Sequence, residues 1–256
     1  MSIIIKRILH FVLMFSVFPV VVHAVPTLQV GAYSGAGDIG AYADYQISTT
    51  SPTETDTAIT SNTDLLFAGV YGSKTQWLGG QYMGGSDYGN VDSALSVFNG
   101  HGAIVMASVA DGFLAEALAT LSVGGSLAFF SSETLSGLYP NNHDPLKDGI
   151  SDFLFFDIGN FAKNLDAVPD FSDETGAADG EIKTLAISGM GLLDWIHFDI
   201  IALKTDLLGQ TNIRTTLENN PGSHDATWKS VPEPNILALF GIGLLGLGVA
   251  GRRRME

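Results

Sequence analysis

The chain has 256 residues, a formal net charge of −15 at pH 7 and no cysteine. The lack of thiols excludes disulfides, thiolate nucleophiles and cysteine-ligated zinc. The negative charge argues against a nucleic-acid partner, because phosphate binding depends on Lys and Arg side chains.

The first 24 residues predict a signal peptide. Lys6 and Arg7 give a positive start, and an almost wholly apolar run follows from Ile8 to Val22. We expect signal peptidase to cleave after Ala24, since this run contains Pro19 and is shorter than the roughly 20 residues of a membrane span. The alternative is a permanent anchor.

Residues 25–230 are the predicted exported body, a single domain. They contain 7 basic and 25 acidic residues, which gives the body a net charge of −18. A surface of this kind favours hydration and weak binding of divalent cations.

Short apolar runs separated by Gly, Ser, Asn and Asp predict strands joined by turns. In the first half, strands are predicted at Thr27–Tyr33, Tyr42–Ile47, Asp64–Tyr71 and Ala103–Val109. Ser48–Thr63 is predicted to be a loop because it is rich in Ser and Thr and contains Pro52. The Ala- and Leu-rich run Phe113–Ser122 fits either a helix or a strand.

In the second half, Asp152–Ile158 is apolar on both faces, as in a central strand. Two further strands are predicted at Glu181–Ser188 and Asp194–Leu203, with Gly189–Gly191 as a hairpin connection. No βαβ rhythm is present. The predicted fold is therefore all-β, an antiparallel β-sandwich or jelly roll.

Gly35, Gly37 and Gly40 match the spacing of the dinucleotide-binding fingerprint. The residues after Gly40 have an extended pattern, so no helix N-terminus is available to hold a pyrophosphate. A glycine turn is the preferred interpretation.

The predicted strand Asp194–Leu203 carries a stripe of Trp195, His197 and Asp199 on one face. Alternate residues of a strand lie on the same face, so an aromatic ring, an imidazole and a carboxylate come together and can hold a sugar or a metal. The alternative is an ordinary sheet face covered by a loop.

Ser223-His224-Asp225 has the residue types of a hydrolase triad. Consecutive residues of an extended chain point to opposite faces, which prevents the three from forming one hydrogen-bonded chain. His224 and Asp225 remain candidates for a site completed elsewhere, and a turn is the alternative.

Acidic loops offer candidate calcium ligands, because calcium takes six to eight oxygen ligands. Calcium is thus the candidate cofactor, and solvated loops are the alternative. The candidate ligands are Asp144, Asp148, Asp170, Asp173 and Asp179.

The end of the chain reads as a sorting tail. A Pro-Glu-Pro motif precedes 17 uncharged residues at 235–251, and an arginine cluster follows. As a helix the apolar segment measures about 25 Å, slightly less than a bilayer core of about 30 Å. The residues concerned are Pro232, Glu233, Pro234, Arg252, Arg253 and Arg254.

This tail, residues 231–256, resembles the PEP-CTERM sorting domain. The resemblance implies processing by an exosortase near the Pro-Glu-Pro motif and transient anchoring in the inner membrane of a Gram-negative bacterium that makes exopolysaccharide or biofilm. The arginine cluster is expected to stay cytoplasmic.

The body resembles the choice-of-anchor N family. The resemblance is carried by Ile196-His197-Phe198-Asp199 and by Ser223-His224-Asp225-Ala226. It implies display at the cell surface and brings no enzymatic activity with it.

The predicted function is that of a non-enzymatic surface or matrix protein, exported through the Sec and signal-peptidase machinery and associated with exopolysaccharide. Two alternatives stay open. One is a surface hydrolase that acts on glycans. The other is a calcium-dependent glycan-binding module, which requires an exposed aromatic residue among Trp77, Trp195 and Trp228.

Overall fold

A computed structural model describes residues 25–32, 42–46, 53–81, 97–135, 149–173 and 175–230. These residues contain one helix, α1 (Leu114–Thr120), and a series of strands. The strands are β1 (Leu28–Ala32), β2 (Tyr42–Gln46), β3 (Thr53–Thr60), β4 (Asp64–Val70), β5 (Thr75–Gly79), β6 (Ala103–Ala110), β7 (Ser122–Val123), β8 (Ser126–Leu127), β9 (Phe130–Ser132), β10 (Ser151–Gly159), β11 (Asn164–Val168), β12 (Ala178–Ser188), β13 (Trp195–Leu208), β14 (Asn212–Asn219) and β15 (Ala226–Lys229).

The strands form two sheets. The smaller sheet has the order β1-β4-β12-β7-β8, and β11 also pairs with β12. The larger sheet has the order β2-β3-β15-β13-β6-β10-β9, with β14 and β5 also paired to β13. Within the described strands every pair is antiparallel except β3 with β15, which is parallel. The all-β prediction is confirmed, whereas the jelly-roll topology stays a prediction.

The main hydrophobic core contains residues from both sheets. Phe67 of β4 belongs to the same buried cluster as Val105 of β6, Phe156 of β10 and Phe198 of β13. Each of these side chains is fully buried. Alternation along the strands produces this core, because every second side chain points to the same face of a sheet.

The opposite face of the larger sheet is also apolar. Met106, Phe153 and Phe155 form a second buried cluster there with Phe98 and Leu203. This agrees with the prediction that β10 is apolar on both faces and lies inside a sheet. We call this face of the larger sheet the outer face, and it positions the candidate site described below.

Two sequence predictions were wrong. Ser48–Thr63 was expected to be a loop, but it contains β3, which is hydrogen-bonded by β2 on one side and β15 on the other. Gly189–Gly191 was expected to join a hairpin, but β12 and β13 lie in different sheets, so this connection crosses between them. The ambiguous run at Phe113–Ser122 contains α1.

In the part of the chain given above, no helix has both the length and the apolar character needed to cross a bilayer. The predicted signal peptide with Ala24, the Gly35–Gly40 motif and the sorting tail lie outside the described residues.

Candidate functional site

Strand β13 has two chemically different faces. Ile196, Phe198 and Ile200 point into the core between the sheets. His197 and Asp199 therefore lie on the outer face, as the alternation predicts. Trp195 begins the strand on that same face.

Asp225, which immediately precedes the neighbouring strand β15, joins His197 and Asp199. The register pairs Phe198 with Ala226, so the residue before β15 comes to lie beside Asp199. His197 Nε2 lies 3.1 Å from Asp199 Oδ2 and 3.7 Å from Asp225 Oδ2. We call these three residues the His-Asp-Asp cluster, and each is fully buried.

Hydrogen bonds fix the orientation of the His197 and Asp199 side chains. His197 Nδ1 lies 2.9 Å from the Thr227 hydroxyl, which lies 3.2 Å from the Thr57 hydroxyl. The Asn220 amide donates to Asp199 Oδ1 at 2.9 Å, and its oxygen accepts the Ile200 N–H at 2.8 Å. Asn220 thereby ties the turn before β15 to β13.

Ser108 of β6 lies on the other side of His197. The two residues are paired across β6 and β13, so both side chains lie on the outer face. Ser108 is fully buried, and its Oγ has no hydrogen-bond partner among the described residues. A buried hydroxyl in this state is costly unless something else contacts it.

The three tryptophans considered for glycan binding are not fully exposed. Trp195 is 7% exposed and Trp228 is 8% exposed, while Trp77 is partly buried. The stripe of Trp195, His197 and Asp199 on β13 is buried and does not lie at the surface. A polymer cannot reach the His-Asp-Asp cluster in this arrangement.

The candidate calcium ligands have separate contacts. Asp170 is bonded to His224 and to Ser172, Asp173 accepts the Thr175 N–H, and Asp179 lies 3.8 Å from the Lys163 ammonium group. Among the described residues these three aspartates do not form a group of three converging ligands. Asp144 and Asp148 lie outside the described residues.

Ser223 and His224 form a hydrogen-bonded chain with Asp170, and not with Asp225 as a contiguous triad would require. Ser223 Oγ lies 2.9 Å from His224 Nδ1, and His224 Nε2 lies 2.8 Å from Asp170 Oδ1. The contact between consecutive residues is possible because they lie in a turn and not in an extended strand. Asp225 has no part in this chain, since it faces His197.

Burial disfavours the charged form of Asp170, but the bonds from His224 and Ser172 outweigh it and hold the pKa of this carboxyl below its ordinary value. The loop around Asp170 is also held by Gln29, which donates to the Pro169 carbonyl and accepts the Phe171 N–H. The Asp170–His224 pair therefore fastens this loop to the turn before β15.

An open cleft of about 650 Å³ lies beside α1. None of the residues that line it belongs to the His-Asp-Asp cluster. Asp111, Glu133 and Asp152 line it together with Leu118, which is 41% exposed. The Gly112 N–H donates to Asp152 Oδ2 at 3.0 Å. This cleft combines carboxylates with an apolar wall.

Sequence reasoning did not identify Ser108, Asn220 or Thr227 as parts of a site. Ser108 offered one signal, since it is a polar residue inside the otherwise apolar strand Ala103–Ala110. Nothing in the sequence pointed to Asn220, whose position beside Asp199 depends on the pairing of β13 with its neighbours.

Residues 230–254 match the model of the PEP-CTERM protein-sorting motif. The motif implies an exported surface protein that is processed by an exosortase and is anchored transiently in the membrane. No curated protein and no solved structure matches the chain. The resemblance of the body to the choice-of-anchor N family has no support from these comparisons.

Proposed function

We propose that residues 25–230 form a non-enzymatic component of an extracellular polysaccharide matrix or biofilm, delivered by export and exosortase processing in a Gram-negative cell. The observation that carries this proposal is the position of the sorting motif. It begins at residue 230, directly after β15 ends at Lys229.

The folded body continues up to the first residue of the sorting motif. β15 is paired with β13 on one side and with β3 on the other, and the Ser230 N–H donates to the Asp194 carbonyl at 3.0 Å. Cleavage near Pro232-Glu233-Pro234 would therefore leave every described strand intact. This arrangement supports a body that persists outside the cell after its tail is removed.

Burial and charge support a structural role for the body. The His-Asp-Asp cluster is fully buried, so it has no route to a glycan. The body has a net charge of −18 and needs no disulfides, which suits a hydrated polymer matrix containing divalent cations. Calcium held by the acidic loops, including Asp170, Asp173 and Asp179, remains part of this proposal.

Mass spectrometry of the protein recovered from the matrix tests the processing steps. We expect an N-terminus at Val25 and loss of Arg252 to Arg254. Replacement of the Pro-Glu-Pro motif by alanines should retain the full-length chain in the membrane fraction, whereas the exposed control variant Leu165→Ala should be processed normally. An intact arginine cluster on the surface form would contradict the proposal.

The cleft beside α1 favours a second candidate function, a glycan-acting hydrolase or glycan-binding module. Glycoside hydrolysis uses a pair of carboxyl groups. The cleft offers three carboxylates, those of Asp111, Glu133 and Asp152. The test is release of reducing ends when purified protein is incubated with exopolysaccharide from the producing cells. Activity that is lost in Glu133→Gln but kept in the exposed control Leu127→Ser would establish this alternative.

A further inference from the structure

We propose that His197, Asp199 and Asp225 bind one divalent cation of the Zn²⁺ or Mn²⁺ type. The site would be structural and would join β13 to the segment that leads into β15. It is independent of the proposed matrix function, because residues of the body alone form it.

The spacing of the ligand atoms fits a metal. His197, Asp199 and Asp225 each offer one ligand atom, and these three atoms all lie within 4.8 Å of one another. Metal–ligand bonds of about 2.1 Å in a tetrahedron place neighbouring ligands about 3.4 Å apart. The separations of 3.1 Å and 3.7 Å fall on either side of that value. The separation of 3.7 Å between His197 Nε2 and Asp225 Oδ2 is longer than an N–H···O hydrogen bond of about 2.7–3.2 Å.

The surrounding hydrogen bonds orient the cluster for a ligand. Thr227 contacts His197 Nδ1, and Asn220 donates to Asp199 Oδ1. On the other side of each group, His197 Nε2 and Asp199 Oδ2 converge to 3.1 Å. A metal-bound histidine characteristically donates its second ring N–H to a neighbouring oxygen, and Thr227, backed by Thr57, provides that oxygen.

Ser108 is an independent indication of a ligand. It is paired with His197 on the same face, is fully buried, and its Oγ has no hydrogen-bond partner in the described part of the chain. A fourth coordination position, filled by this hydroxyl or by a water bonded to it, would account for a buried polar group that is otherwise costly.

The donor set indicates the class of metal. Calcium and magnesium favour oxygen ligands alone, whereas imidazole with carboxylates suits zinc, manganese or iron. Two ionised carboxylates and a neutral imidazole carry a formal charge of −2, which a divalent cation balances in a buried site. This distinguishes the site from the acidic loops, which offer oxygen only.

The full burial of the cluster makes the proposed ion structural. A cation with no exposed ligand cannot bind a substrate, but it links β13 to the residue preceding β15 and so to the strand adjoining the sorting motif. The ion must enter while the chain folds, and it should leave slowly afterwards. Refolding in its presence is therefore the informative condition.

The experiment uses the full chain, purified without chelators and analysed for metal by elemental mass spectrometry. The same chain is then refolded from denaturant with Zn²⁺, Mn²⁺ or Ca²⁺ alone, or with chelator. We expect equimolar Zn²⁺ or Mn²⁺ and a higher midpoint of thermal unfolding with that ion than with chelator, because the ion binds only the folded state.

Asp225→Asn should lose the bound metal and the metal-dependent rise in the unfolding midpoint. Asp157→Asn is the matched control, since Asp157 pairs with His101 at 3.2 Å but belongs to no group of three ligands among the described residues. If Asp225→Asn does not fold, replacement by Co²⁺ in the parent chain provides a second readout, with absorption bands expected for nitrogen and oxygen ligands. Equal metal content in Asp225→Asn and the parent, stabilisation by Ca²⁺ but by neither Zn²⁺ nor Mn²⁺, or identical unfolding with metal and with chelator would overturn the proposal.

Discussion

His197 and Thr227 lie opposite each other across β13 and β15, with the imidazole Nδ1 2.9 Å from the threonine hydroxyl. This contact assigns one ring nitrogen to Thr227 and directs the other toward Asp199 and Asp225. The orientation of the imidazole therefore depends on a residue of the strand that adjoins the sorting motif.

Thr227→Val keeps the shape of the side chain and removes its hydroxyl. If the hydroxyl orients His197 as a metal ligand, binding of Zn²⁺ should weaken by about 10- to 100-fold, the usual effect of losing such a partner. Competition with a coloured chelator during refolding measures this affinity. Thr57→Val removes the hydroxyl that contacts Thr227 and should have a smaller effect on the affinity. Unchanged affinity in Thr227→Val would show that this hydroxyl does not orient His197.

Asn220→Ala should destabilise the fold, because it removes the partners of Asp199 Oδ1 and the Ile200 N–H at once. Leaving a buried polar group unsatisfied costs about 1–3 kcal/mol, so we expect a loss in this range or above it. Urea unfolding gives the free energy of unfolding. The adjacent Asn219→Ala is the control and should lose less, since Asn219 is only partly buried.

Stability should fall in acid through Asp157. Burial disfavours its charged form, but the N–H groups of Gly159 and Gly102 and the contact with His101 hold the pKa of Asp157 below its ordinary value of 3.8. A folded-state pKa below the unfolded one gives stability that is present above the unfolded pKa and is lost as the pH falls through the folded value. Asp157→Asn should therefore reduce the pH dependence of the unfolding midpoint below about pH 4.

His101→Gln serves as the partial control for this prediction. It removes one of the three partners and leaves both backbone donors in place, so part of the pH dependence should remain. Identical acid profiles for the parent and Asp157→Asn would show that this carboxylate is not the group responsible.

Phe156→Ala should strongly destabilise the body. Phe156 is fully buried between the two sheets, and truncating a core phenylalanine to alanine costs about 3–5 kcal/mol. Leu165→Ala, at a position 82% exposed, should change the free energy of unfolding by less than about 0.5 kcal/mol. Chemical denaturation of both variants checks the assignment of the core.

The periodic strands were predictable from the sequence because their side chains alternate between the two faces. β4, β10 and β13 were found with boundaries close to the observed ones, although β13 continues to Leu208. β3 was missed because its Ser/Thr-rich sequence resembles a loop, and it is held in the sheet by neighbours that are distant in sequence. The Gly189–Gly191 connection was mistaken for a hairpin because strand order alone does not say which sheet a strand joins.

The candidate site was partly predictable for the same reason. Alternation placed His197 and Asp199 on one face, but the position of Asp225 beside them depends on the register of β15. Ser108 comes from β6, some 90 residues earlier in the chain. A site whose side chains come from different strands has no characteristic spacing in the sequence.

The place of β15 in the larger sheet has a consequence for biogenesis. Among the described strands, β2 and β3 are paired to the rest of that sheet through β15, which is the last of these strands in chain order. The pairing of β2 and β3 with the rest of the larger sheet therefore requires the segment next to the sorting motif. The larger sheet is thus completed by the last part of the body to be synthesised, directly before residues 230–254 of the sorting motif.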